Sequence, residues 1–180
     1  MKSIATERLL LRKWDAQDCF DLFEYASNPE VGKNAGHSTL KTLEDANHIL
    51  SNYIEKDRSF AIVLKTENKV IGSIGYDVFT PDEMHENTIH FSIGFSINPQ
   101  YWGMGYATEA VNHFIDHLFL EYKADVIWCS HFYFNERSKR VIEKCGFEYQ
   151  FSRVRKVKVL DDAQVKELVY RLEKPLRRHD

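Results

Sequence analysis

The alternation of apolar and polar positions divides the chain into short segments with distinct periods. Residues 8–13 form a brief apolar run that predicts a strand, entering a turn at Asp15, a residue type that caps helices. Cys19, Leu22, Phe23 and Ala26 recur at helical spacing, as do Leu43, Ala46, Leu50, Tyr53 and Ile54. Residues 60–65, 70–79 and 89–98 are β-branched and aromatic. Glu67, Asn68 and Lys69 mark a tight reversal that makes the first two a hairpin. From Ile89 to Ile97 every odd position is apolar, the pattern of a strand with one packed and one polar face. Pro99 ends that strand and a glycine-containing loop follows. The next helix carries the stripe Ala107, Ala110, Val111, Phe114, Ile115 and Leu118. A strand over 126–134, a short helix over 135–145 stopped by Gly146, and strands around 148–159 and 164–173 complete the chain. Helices interspersed with antiparallel hairpins predict a mixed α/β (α+β) domain around a central sheet.

Composition narrows the function classes. The 180 residues carry 24 Lys plus Arg against 27 Asp plus Glu, a net charge of -3. Near-balance argues against a nucleic-acid partner held by blanket phosphate neutralisation, yet leaves room for a small anion held by backbone amides. With 12 Phe, 9 Tyr and 3 Trp the chain has ample core material and is no disordered tract. No apolar run is long enough to span a membrane, and the N-terminus lacks a secretory pattern. Cys19, Cys129 and Cys145 are odd in number and scattered, as expected of reduced thiols in a cytoplasmic protein.

The stretch carrying most chemistry is Asn98-Pro99-Gln100-Tyr101-Trp102-Gly103-Met104-Gly105-Tyr106-Ala107-Thr108-Glu109-Ala110, between a strand and a helix. Two glycines two apart permit a tight turn that brings successive N–H groups toward a ligand, and the helix adds its positive end. That combination is an anion site, with phosphate the common occupant. It is not a P-loop, since no Gly-Lys-Ser/Thr follows. It also misses the dinucleotide fingerprint, because Thr108 occupies the place of the third glycine. Glycine spacing alone is equally compatible with a close-packed turn that binds nothing.

The strand, proline, Trp-Gly-Met-Gly-Tyr-Ala loop and Thr-Glu-Ala helix start resemble the cofactor motif of the GNAT superfamily of N-acetyltransferases. Asn135-Glu136-Arg137-Ser138 and Glu143-Lys144-Cys145-Gly146-Phe147 resemble that family's second half. The opening Thr6-Glu7-Arg8-Leu9-Leu10-Leu11-Arg12 is similar to its ribosomal-protein-alanine (RimJ/RimL-like) branch. The resemblance spans essentially the whole chain. It implies one GNAT domain over residues 1–180, core about 6–175, with a mixed sheet of about seven strands and about four helices. It further implies acetyl-coenzyme A as cosubstrate, with pyrophosphate on the amides of Gly103, Met104, Gly105, Tyr106 and Ala107. Pantetheine would lie along Phe95, Ser96 and Ile97. The family favours Gln or Arg where Trp102 stands, which puts a side-chain contact to phosphate in doubt and leaves the backbone contacts intact.

Residue roles can be weighed separately. Asn135 is an N-cap by position, and the resemblance adds contact with the pantetheine arm. Ser138 shares an i, i+3, i+4, i+7 stripe with Val141, Ile142 and Cys145, so its hydroxyl faces inward. There it either bonds back to the helix or, by the resemblance, protonates the departing thiolate. A general base is less defined: His90 and Ser92 on the polar strand face, Glu86 just outside it and His131 on the next strand are candidates. His90 reads first as a surface histidine and only second as a base. An α-amine of pKa about 7.7–8.0 is roughly 10–15% neutral at pH 7, a lysine near 10.4 below ~0.1%. A weak base signal therefore favours an α-amine or small-molecule amine acceptor.

Other features point elsewhere. Glu109, His113 and His117 share a helix face without a fourth ligand, which reads as a solvated face and not a metal site. Arg153-Val154-Arg155-Lys156-Val157-Lys158 alternates as the exposed side of a strand. Asn34-Ala35-Gly36-His37 reads as a loop, in a region where the resembled family reads its acceptor. The last strands are candidates for pairing two copies into a homodimer. The expected activity is direct acetyl transfer to a primary amine. The alternatives are a non-catalytic coenzyme A-binding regulatory module, or an acetylase of a polyamine, amino sugar or antibiotic.

Overall fold

A computed structural model of the chain describes residues 2–79 and 88–174. The elements in order are β1 (Ile4–Ala5), β2 (Leu9–Lys13), α1 (Cys19–Ala26), α2 (Pro29–Ala35), α3 (Leu43–Lys56), β3 (Ser59–Leu64), β4 (Lys69–Val78), β5 (His90–Ile97), α4 (Tyr106–Glu121), β6 (Val126–Phe132), α5 (Glu136–Lys144), β7 (Glu148–Val157) and β8 (Ala163–Glu173). The strands form one 8-stranded sheet in the order β1-β2-β3-β4-β5-β6-β8-β7. Every pairing is antiparallel except that of β5 with β6. The α/β class and mixed sheet agree with the sequence reading, with one strand and one helix more.

Both additions have physical reasons. β1 is two residues long, too short for any period to register. α2 buries only Val31 and Gly32, so it shows no apolar stripe. Its boundaries were nevertheless written: Asn28 caps it by accepting from the Glu30 N–H, Pro29 sits in the first turn, and Gly36 closes it at φ +73°. Asn34 and Ala35 therefore belong to a helix end, correcting the expected loop, while Gly36 and His37 follow it.

The sheet is covered on both faces. Leu9, Leu11, Phe60, Ile62, Ile74, Phe91 and Ile93 pack against Val111, Phe114 and Leu118 of α4 and Ile142 of α5. The other face buries Ala61, Val63 and Val70 under Leu22 and Tyr25 of α1 and Leu50 of α3. This explains why β3 reads as a continuous apolar run instead of alternating.

Two departures from regular pairing shape the centre. The β5–β6 ladder holds only from His90↔Val126 to Ile93↔Cys129. Beyond it β5 stays paired with β4 as far as Ile97↔Gly72, and β6 with β8 as far as Phe132↔Glu167. The facing edges of β5 and β6 thus part and leave backbone groups unpaired between them. Second, the face toward α1–α3 becomes small at mid-sheet. The register places Ser59, Gly75 and Gly94 in one row and Ser73 beside Ser96 in the next. Side chains of that size leave a hollow.

Candidate active site

The loop after β5 is held open by backbone conformation. Asn98 accepts from the Gln100 N–H and caps a short 3-10 turn, Pro99–Tyr101. Gly103 and Gly105 then adopt φ +78° and +82°, values side chains resist, and Gly105 caps α4. Among the described residues, no N–H from Gly103 to Thr108 donates to a protein acceptor. A run of free amides on the N-terminus of a 16-residue helix favours an anion.

A clamp from β2's approach fixes this loop. The Arg8 guanidinium donates to the Met104 carbonyl at 2.9 Å and to Glu109 Oε2 at 2.7 Å, and lies 4.4 Å from the Tyr106 ring centre. Glu109 also accepts from the Arg8 N–H at 2.8 Å and the Thr6 hydroxyl at 2.5 Å. Glu109 is thus 12% exposed and structural, correcting the expected solvated face. Burial raises its pKa, but the bonds from Thr6 and Arg8 outweigh that and hold the carboxyl below its ordinary value. The pairing was beyond sequence reasoning, because the partners lie about a hundred residues apart.

Trp102 donates its indole N–H to the Ile97 carbonyl at 2.8 Å, closing the end of β5. Its ring lies 4.0 Å from the Arg137 guanidinium. Arg137, from α5, thus places a cation beside position 102, where it also lies 3.8 Å from Glu30. Arg140 and Lys144 line the same cleft.

Two cavities meet at the β5–β6 opening. One, of ≈ 340 Å³, lies between the glycine loop, α2 and α5. The other, of ≈ 720 Å³, rests on the small-residue floor below α3. Asn34, Ala35, Phe95, Ser96, Asn135 and Ser138 line both. The structure thus brings Phe95, Ser96, Ile97, Trp102, Gly103, Gly105, Tyr106, Ala107, Asn135 and Ser138 to one cleft. Met104 does not line the cleft: its side chain is exposed and its carbonyl accepts from Arg8.

At the junction, Asn135 caps α5 by accepting from the Ser138 N–H at 3.1 Å. Its amide also donates to the Ser138 hydroxyl at 2.9 Å and to the Asn34 carbonyl at 3.3 Å. Ser138 Oγ is an acceptor here, and among the described residues its proton is given to no one. A hydroxyl that accepts one bond is polarised to donate another.

His90 is not brought to this site. It opens β5 five residues before Phe95, roughly 16 Å away along the strand. One ring nitrogen accepts from the Trp128 indole at 3.1 Å and the other meets Thr88 at 3.0 Å. Burial, and then the charge of Arg171, hold its pKa below the ordinary value. His90 lines neither cavity, whereas a general base works in hydrogen-bond reach of the proton it takes or through one water. His131 does line the larger cavity. Its Nδ1 lies 2.8 Å from the Phe132 carbonyl, which requires N–H there, and Nε2 then accepts from the Tyr170 hydroxyl at 3.1 Å. Ser92 lines that cavity too, and Glu86 lies outside the described residues. Burial pushes the thiol of Cys129, in the cavity wall, up to about 12, and that of Cys145 up to about 11. Neither is a nucleophile at neutral pH.

No group of three or more His, Cys, Asp or Glu among the described residues has a metal-holding arrangement. No helix among them is long and apolar enough to cross a membrane.

The site is thus a sheet opened at one parallel pair, beside a helix start with free amides and a second cavity. Residues 8–148 match the Acetyltransferase (GNAT) domain family, and the chain belongs to it. It is an acyltransferase of the class that takes acetyl from acetyl-coenzyme A. It is 30% identical over 144 residues to the uncharacterized N-acetyltransferase YnaD of Bacillus subtilis, covering 79% of this chain and 81% of that one. The crystal structure of a GNAT-family acetyltransferase from Bacillus anthracis superimposes with TM-score 0.83 at 27% identity, over 96% of this chain and 98% of that one. The ribosomal-protein-S5-alanine acetyltransferase of Vibrio fischeri shares the fold, with TM-score 0.74 at 20% identity over 97% and 98% of the two chains.

Proposed function

We propose that the chain transfers acetyl directly from acetyl-coenzyme A to a primary amine, with the two cavities as donor and acceptor sites. The carrying observation is that Ser138, which lines both cavities, has a hydroxyl whose proton is uncommitted among the described residues. In this reading the free amides of Gly103 through Ala107 hold the pyrophosphate. Arg137, stacked on Trp102, adds a cation that the loop itself lacks. The unpaired edge of β5 at Phe95 and Ser96 accepts the pantetheine amides as a strand would. The Ile97 carbonyl is already bonded to Trp102, so this ladder ends there.

The amine enters over the floor of Ser92, Gly94 and Ser96. Its nitrogen attacks the thioester carbonyl carbon, the C–S bond breaks, and an amide forms. The departing sulfur takes a proton from Ser138 Oγ, and the proton lost by the attacking nitrogen returns to that oxygen, leaving free thiol, amide and serine hydroxyl. Most of the acceleration comes from positioning two reactants across a narrow opening. With both His131 nitrogens engaged and both nearby thiols protonated, an acceptor of low amine pKa suits the site best. The single-domain organisation, 1–180, and pairing of two copies belong to the same proposal.

The test combines calorimetric binding of acetyl-coenzyme A with free-thiol detection across a broad amine panel. Micromolar binding and amine-dependent thiol release are expected. Binding without release from any amine would replace the enzyme by a binding module.

A further inference from the structure

Charge is unevenly distributed around the larger cavity, and it bears on which amines that site accepts. Its floor is neutral and small. Its charged lining consists of Lys56, Arg58 and Arg155 against Asp77 and Glu167. Glu167 is 3% exposed and is not available to a ligand: Arg153 holds it at 2.6 Å, Arg155 at 2.9 Å and Ser130 at 2.8 Å. Two guanidiniums on one carboxylate leave a surplus positive charge on that wall. On the opposite wall Lys56, at the end of α3, has no carboxylate partner among the described residues. The nearby Asp57 is committed to Lys13 at 2.6 Å. Arg58 meets Asp77 at 3.6 Å, and both are solvent-exposed. A pair of that kind is worth little and yields readily to a better anion.

From these charges, and resting on the acetyl-transfer reading above, we propose that the acceptor is an amine carrying an anionic group several bonds from its nitrogen. The group is a carboxylate or a phosphate bound by Lys56 and Arg58. The spacing follows from the sheet. Ser59, next to Arg58, is paired through Gly75 to Gly94, two strand spacings or about 10 Å from β5, where the nitrogen must react. Lys56 and Arg58 both line the cavity that spans that gap. A polyamine would bring positive charge against the same wall and is disfavoured.

A matched set of dipeptide amides tests this with the full chain and acetyl-coenzyme A, all sharing an N-terminal alanine amine. The second residue is glutamate, phosphoserine, glutamine or lysine. The glutamate or phosphoserine member should have kcat/KM about tenfold above the glutamine member, mostly through KM, with the lysine member slowest. Comparing the two anionic members distinguishes carboxylate from phosphate. Lys56→Gln with Arg58→Gln should abolish that preference, and Asp77→Asn, which frees Arg58, should increase it. If acetyl-coenzyme A binds and neither anionic member outpaces the neutral one, the substrate class is wrong while the donor assignment stands. Failure to bind acetyl-coenzyme A overturns the acetyl-transfer reading itself.

Discussion

The two cavities are built from different material. The proposed donor cleft offers mainly backbone: free amides, two glycines at positive φ and an open strand edge. The proposed acceptor cavity is walled by side chains from α2, α3, α5 and strands β3 to β8, over a floor that narrows to Gly75 and Gly94. A backbone site reads what every substrate shares, here an extended amide chain and its phosphates. A side-chain site can be rewritten one residue at a time without disturbing the fold. On the proposed assignment, donor chemistry is fixed by local conformation, whereas acceptor choice is spread across the chain.

The sharpest way to break this contrast is Gly105→Glu. At φ +82° any side chain is strained, a Cβ there would sit 3.3 Å from Arg8 Nη2, and the carboxylate would face the amides meant for phosphate. Strain and repulsion together should cost about 2–3 kcal/mol, a fall in acetyl-coenzyme A affinity of roughly 100-fold by calorimetry. Unchanged affinity would mean that the loop is not the phosphate site. Ser138→Ala comes next. It removes the donor at the junction while the amides remain, so kcat should fall roughly 10- to 100-fold with donor affinity nearly constant. A matching loss of affinity would make Ser138 a binding residue instead.

Gly94→Val probes the other cavity. A Cβ at Gly94 meets nothing within 4 Å, and the backbone is not in the left-handed region. The valine should leave the melting temperature and donor affinity in place while lowering kcat/KM for amines about tenfold, because it fills the floor. Loss of donor affinity would merge the two sites into one.

The same contrast governs what the sequence made legible. The glycine loop, the Asn135 cap and the inward Ser138 depend on residues within a few positions of each other, and local pattern carries that information. The apolar periods likewise located β3, β4 and β5 to within a residue, and α4 to within three. The acceptor cavity depends on register: Ser59, Gly75 and Gly94 are unremarkable until pairing puts them in one row. His90 shows the opposite error. It had suitable chemistry on the expected strand, but at the wrong end of it.

Glu109 is where local pattern misled most, and it gives the subtlest prediction. Its helical spacing with His113 and His117 suggested exposure, yet it ties Thr6 and Arg8 to the donor loop across the sheet. Since its folded pKa lies below the ordinary carboxyl value, its stabilisation is complete above about pH 5 and is lost as pH falls through the folded pKa. Glu109→Gln keeps the shape and removes the charge. It should cost about 1–2 kcal/mol at pH 7 by denaturant unfolding. The variant should also show a shallower decline than the parent below pH 4, because the group that must take up a proton is gone. Arg8 would still hold the Met104 carbonyl and the Tyr106 ring, so donor affinity should drop only a few-fold. If acid sensitivity is the same in both proteins, the clamp does not act through the ionised carboxylate, and the loop is held by Arg8 alone.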